Sequence, residues 1–240
     1  MQWLRLISGL VAVFALFQLI ANALRSDRGQ AGVLVALTVV AATLIAERWL
    51  SGGTLVEAGR SIGLGRPRLR GLAAALASCA SLAIAETAIV TASGAAVSYD
   101  SVTLWLLPGL FAQAGVAEET LFRGYLFGHV RRHLPFWRAA FTSMIPFVAV
   151  HVFLFVTMPW PIATASVLLA ATTSIPLSHL YELGGRTIWP PALLHFTIQS
   201  VPKILVTGDS DHWTFPLTWM AVSGTLPLLV LLIRVRCSKR

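Results

Sequence analysis

Apolar runs of roughly 20 residues recur from one end of this 240-residue chain to the other, separated by short polar breaks. No other feature constrains the fold as strongly. An α-helix rises about 1.5 Å per residue, so a run of about 20 apolar residues crosses the hydrocarbon of a bilayer. Reading runs against breaks gives about eight candidate spans, at 3–24, 31–50, 71–92, 103–130, 138–157, 161–181, 188–206 and 214–233. Pro159 and Pro161 mark the fifth break, and ELGGRT at 182–187 marks the sixth. The longest polar connection, 51–70, is a candidate for lying along the membrane surface. Arg5, an apolar core and ANA at 21–23 resemble a signal peptide, but the apolar stretch is long for one and is expected to remain as a span. No internal repeat is visible. The expected fold is all-α: one polytopic integral membrane bundle over 1–240.

Charge supports that reading. Charged residues make up 12% of the chain, about half of the roughly 25% usual in soluble domains. The net charge of +8 does not indicate nucleic acid, because the basic residues lie in the breaks rather than on one polar face with stacking aromatics. With eight spans, one side of the membrane holds fourteen of them: Arg5, Arg48, Arg60, Arg66, Arg68, Arg70, Arg131, Arg132, Arg138, Arg186, Arg234, Arg236, Lys239 and Arg240. The other side holds three, Arg25, Arg28 and Lys203, and Arg123 lies within a span. The positive-inside rule then places both termini in the cytoplasm of a multi-pass protein of the cell (inner) membrane. Cys79 and Cys237 provide no disulfide framework, and the tail CSKR lacks the aliphatic pair of a prenylation box. Most tryptophans, including Trp49, Trp105, Trp137, Trp160, Trp189 and Trp213, fall near span ends, as an interfacial belt requires.

Against this background the fourth run is anomalous. It reads AEETLFRGY at 117–125 and places Glu118, Glu119 and Arg123 inside a span. Each such charge costs about 3 kcal/mol at the centre of a bilayer on insertion scales, so intramembrane charge marks a functional site by default. Glu119 and Arg123 stand at i, i+4 with the acid first, the favourable order for an intrahelical pair. Glu118, about 100° round the helix, faces another neighbour and is left for chemistry. Counting along the helices puts His151 of span five and His195 of span seven at a depth comparable with Glu118. Phe147 shares a face with His151, and Gln199 with His195. A carboxylate and two imidazoles in a dry cavity suit hydrolysis. The glutamate takes a proton from attacking water, and histidine holds that water or, with an amide, donates to the oxyanion. Glu86 in span three reads as a packing or cavity-lining group, and His129, His133, His179 and His212 as ordinary span-end histidines.

Glu-Glu-x-x-x-Arg, then Phe-x-x-x-His, then a later intramembrane histidine, in that order within apolar spans, resemble the CPBP family. These are the CAAX-protease and bacteriocin-processing membrane proteins, also called Abi proteins. The resemblance covers about residues 100–205, which would be the catalytic core. It implies an eight-span helical fold and an intramembrane endopeptidase, similar to the Ras-converting CAAX endopeptidases, acting on a membrane-anchored peptide or protein. By the same resemblance Glu118 and His151 activate water, while His195 and position 199 form the oxyanion site. Gln199 stands where those enzymes carry asparagine. Glu119, Arg123 and Phe147 are expected to support the site, and no cofactor is required. Two alternatives stay open: a zinc protease with Glu118, His151 and His195 as ligands, though no H-E-x-x-H helix is present, and a non-catalytic scaffold or immunity protein of the same fold.

Overall fold

In the computed structural model, which describes residues 2–24, 28–93, 97–99, 103–207 and 214–235, the apolar runs are helices. α1 covers Gln2–Ala23, α2 Arg28–Ser51, the short α3 Leu55–Ser61 and α4 Leu69–Ser93. α5 (Thr103–Leu110) continues through two π-helical segments, Phe111–Ala117 and Thr120–Phe127, into α6 (Gly128–His133). α7 (Phe136–His151), the short α8 (Leu154–Thr157), α9 (Trp160–Leu183), α10 (Trp189–Ile204) and α11 (Thr214–Thr225) follow, and Leu226–Leu232 ends the last helix as a 3₁₀ turn. Arg25, His212, Trp213, Arg236, Cys237, Lys239 and Arg240 lie outside the described residues, as do the side chains of Arg28 and Trp105.

Among the described residues, six helical segments are long and apolar enough to cross a membrane: Trp3–Ala23, Ala31–Ser51, Leu69–Ala92, Phe136–Thr157, Trp160–Leu183 and Thr214–Leu232. The two other expected spans differ in kind. The fourth is one continuous helical path, but it carries three charges and alternates between α and π geometry. The seventh stops at Ile204 after 16 residues. There Leu205–Thr207 (β2) becomes extended and pairs antiparallel with Val97–Tyr99 (β1), with Val97 opposite Thr207 and Tyr99 opposite Leu205. This small ribbon is the one departure from an all-helical chain among the described residues.

The helices bury a mixed interior and expose apolar side chains. Leu6, Leu10, Val13 and Phe17 form the buried stripe of α1 and meet Val35 and Val39 of α2, together with Leu121, Tyr125 and Phe147. A second cluster joins Leu82 of α4, Leu177 and Leu180 of α9, Leu194 of α10 and Trp219 of α11. Leu4, Leu37, Ile45, Ile84, Ile145 and Val156 point outward. Thr43, Glu47, Glu119, Thr120, Arg123 and Ser143 are buried. Lipid selects this arrangement, because polar groups must find partners inside the protein. Trp3, Trp49, Trp137 and Trp160 are exposed at helix ends. Trp189 instead donates from Nε1 to the Gly65 carbonyl at 2.8 Å and pins the loop before α4.

The 51–70 connection is ordered by its own sequence. Thr54 and Glu57 form a capping box at the start of α3: the Thr54 amide donates to Glu57 Oε2 at 2.8 Å and the Glu57 amide to Thr54 Oγ1 at 3.3 Å. These bonds hold the exposed Glu57 carboxyl below its ordinary range. At its far end the Ile62 carbonyl lies so close to Gly124 that any Cβ there would collide with backbone. The short helix is thus clamped onto the second π segment.

Candidate active site

Glu118 and Glu119 occupy the two positions between the π segments. The Glu118 amide donates to the Gln113 carbonyl, five residues back, and the Gly128 amide reaches Arg123 in the same way. Such i→i+5 turns are rare and concentrate at functional sites. The approach of α10 is equally local. A Cβ on Gly115 would stand 3.0 Å from the Ala192 carbonyl oxygen, so glycine lets α10 come close enough to bring His195 beside the glutamates.

Glu119 is fully buried. Its Oε1 accepts from Arg123 Nη1 at 3.2 Å and from His195 Nδ1 at 2.7 Å. Arg123, also buried, lies with its guanidinium carbon 4.1 Å from the centre of the Phe147 ring, a cation–π contact in a desolvated setting. Phe147 meets His151 edge to face at 5.0 Å and His195 at 6.1 Å. One aromatic ring therefore touches the guanidinium and both imidazoles.

The remaining groups are less engaged. Glu118 is partly exposed, and its carboxylate Oε2 lies 3.8 Å from His195 Nε2, beyond hydrogen-bond reach. Its charge is nonetheless close enough to act on His151 and Arg123. His151 donates from Nδ1 to the Phe147 carbonyl at 2.7 Å, which leaves Nε2 with its lone pair. Gln199 accepts at Oε1 from Lys203 Nζ at 3.0 Å, and its NH₂ group makes no hydrogen bond among the described residues. Glu118, Glu119, Arg123, Phe147, His151 and His195 thus come together from three helices, with Gln199 one turn along α10 from His195. Glu86 is half-buried and joins none of these bonds. Among the described residues no group of three His, Cys, Asp or Glu side chains is arranged to hold a metal ion.

Two features escape a reading of the sequence. One is that Glu119 serves His195 as well as Arg123. An i, i+4 partner can be read along one helix, whereas a partner 76 residues away cannot. The other is a second buried carboxylate, Glu47, near the C-terminal end of α2. Its Oε1 accepts a short hydrogen bond from Ser61 Oγ, and its Oε2 lies 3.2 Å from Nε2 of His129, itself buried rather than at an ordinary span end. A signal for it exists. Ala31, Val35, Val39, Thr43 and Glu47 recur every four residues and are all buried, so Glu47 closes the inward stripe of α2.

Comparison with known families gives a match over residues 100–201, to the family described as Type II CAAX prenyl endopeptidase Rce1-like. No curated protein matches the chain. The matched segment contains Glu118, Glu119, Arg123, Phe147, His151, His195 and Gln199, the side chains that π geometry and the close seat of α10 assemble. Over that segment this membrane protein is similar to the Rce1-like type II CAAX prenyl endopeptidase family (CPBP/Abi), a family of peptide-bond hydrolases.

Proposed function

We propose that the chain is an intramembrane endopeptidase in which Glu118 activates water against a peptide carbonyl of a membrane-anchored substrate. The observation that carries this reading is the contrast between adjacent glutamates. Glu119 is buried and holds Arg123 and His195 at one carboxylate oxygen, whereas the Glu118 carboxylate is partly accessible and makes no hydrogen bond among the described residues. A carboxylate held this way can accept a proton from water as the tetrahedral intermediate forms and return it to the leaving amine. His151, with Nδ1–H donated to Phe147, offers Nε2 as the acceptor that orients the same water. His195 gives Nδ1–H to Glu119, so it can donate to the oxyanion from Nε2 once that nitrogen also carries a proton, and the Glu119 carboxylate balances the charge. The unengaged NH₂ of Gln199 supplies a second donor. No step is routed through a metal, since the donor set does not form a three-ligand group.

In this reading the whole chain is one membrane domain with its catalytic core at 100–205. Eight segments cross the bilayer, the fourth and seventh lining the cavity instead of facing lipid, and both termini are cytoplasmic. The test is cleavage of candidate membrane-anchored peptides by the purified protein in detergent, with and without chelator. Glu118→Gln should abolish cleavage and melt like wild type, and chelator should have no effect. Full activity of the variant removes Glu118 from the mechanism; loss of activity to chelator points to the zinc alternative.

A further inference from the structure

The bundle end that gathers most of the basic residues contains a cavity of about 340 Å³ whose lining includes Arg60, Ser61, Arg132, Tyr181, Arg186 and Glu57. It forms where α3, α6 and the turn between α9 and α10 meet. Its charges are unequally committed. Glu57 spends its carboxylate on the α3 cap, and Arg132 donates to Ser61 Oγ, which in turn donates to the buried Glu47. The side chains of Arg60 and Arg186 form no hydrogen bond or ion pair among the described residues, so three guanidiniums face one occupied carboxylate. Tyr181 is 2% exposed as a residue, and its hydroxyl, which opens onto this cavity, makes no hydrogen bond among the described residues. A hydroxyl open to the cavity is available to donate to a ligand oxygen there. The charges of Arg132 and Arg186 act on it, opposed by those of Glu182 and Glu47. Arg186 also holds a left-handed backbone, φ 64, directly after Gly185 at φ 80. A non-glycine residue there is strained, and such outliers persist where the surroundings demand them.

We infer that this cavity binds the phosphate headgroup of an anionic membrane lipid. A phosphate accepts from several guanidiniums and a phenol at once, and basic pockets between transmembrane helices are suited to such headgroups. Lipid, rather than a soluble phosphate, is favoured by the apolar residues exposed on α3. Leu55 and Val56 on the first turn of α3 are 53% and 65% exposed, on the same short helix that supplies Arg60 and Ser61. A helix placed this way lays apolar side chains among acyl chains while its arginine meets the headgroup. The site is separate from the Glu118 centre, about ten residues distant along the same helical path, so the inference stands whatever reaction the chain performs.

The experiment is native mass spectrometry of the full-length protein released from neutral detergent containing equal phosphatidylglycerol and phosphatidylcholine. One phosphatidylglycerol should remain bound per chain, and Arg60→Gln/Arg186→Gln should reduce its occupancy at least tenfold. Both side chains are exposed at the cavity, so the double variant should melt like wild type in lipid-free detergent. Tyr181→Phe should reduce occupancy several-fold, and Arg48→Gln, at the same end but outside the cavity, should not. Undiminished retention in the double variant, or equal retention of phosphatidylcholine, overturns the inference. So does displacement of the retained lipid by millimolar inorganic phosphate, which would identify a soluble phosphate compound as the ligand.

Discussion

Replacing Glu119 by glutamine removes a negative charge from a position with no solvent exposure while keeping the side chain's shape. The amide oxygen can still accept one hydrogen bond, from His195 or from Arg123, but the buried guanidinium loses its paired carboxylate and keeps only the more distant charge of Glu118. Breaking a buried pair on one side costs about 3–5 kcal/mol, most of it the penalty of the stranded charge. At roughly 2–4 °C per kcal/mol for a chain of this size, Glu119→Gln should lower the melting temperature by about 6–20 °C. Arg123→Met should also destabilise, because it removes the cation–π contact and leaves Glu119 with His195 alone. The double variant Glu119→Gln/Arg123→Met buries no unpaired charge and keeps the bond from His195 to the amide oxygen. Its loss should therefore fall short of the sum of the single losses by about 2 kcal/mol, within the range seen for residues in contact. Thermal melting in detergent measures all three independently of proteolysis. Additivity within about 0.5 kcal/mol would refute the pair.

Other perturbations test separate parts of the structure. Gly124→Ala should destabilise by about 1–3 kcal/mol, since its Cβ meets the Ile62 backbone and α3 must lift; an unchanged melt would mean that α3 is not clamped there. Gln199→Ala should lower turnover by about 10²-fold with little change in substrate affinity, and Gln199→Asn should retain much of the rate. Equal loss in both would assign Gln199 to packing. In a background with Cys79 and Cys237 replaced, Ser51→Cys and Arg66→Cys should react with an impermeant thiol reagent in inverted vesicles and not in intact cells; the opposite pattern reverses the topology. Gly185, at first sight another suitable position, is a poor one because its φ of 80 and the nearby Arg68 side chain would strain a cysteine.

The sequence announces the helices because lipid imposes one rule on every span, and that rule is written in local composition. It also announces the pair Glu119 and Arg123, which lie on one helix at a fixed spacing. The link from His195 to Glu119 is not announced, since it depends on how closely α10 approaches at Gly115. The π turns are equally hidden: nothing in FAQAGVA or TLFRGYLF separates an i→i+5 from an i→i+4 ladder. Glu47 is a different case. It sits next to Arg48 at the end of an apolar run and reads as the start of a polar flank, whereas the four-residue stripe from Ala31 carries it inward to His129. The end of the seventh span is misplaced for a related reason. Ile204, Leu205 and Val206 are apolar enough to extend a helix, yet Leu205–Thr207 is spent on a strand partner far away in the sequence.

The π-helical stretches flanking Glu118 and Glu119 also tie the number of residues in this helix to the direction its charges face. Each i→i+5 ring holds one residue more than the i→i+4 ring it replaces. Deleting a single residue between 111 and 117 and rewinding that turn as an α-helix would leave the bearings of the two sides nearly unchanged, whereas keeping every residue and rewinding it would swing one side by about 100° relative to the other. With α5 held by α2, that swing would carry Glu118 off its bearing on His195 and turn Arg123 away from Phe147 without altering a single side chain. The choice between the two hydrogen-bond ladders, at a fixed number of residues, thus acts as a rotary dial on the site.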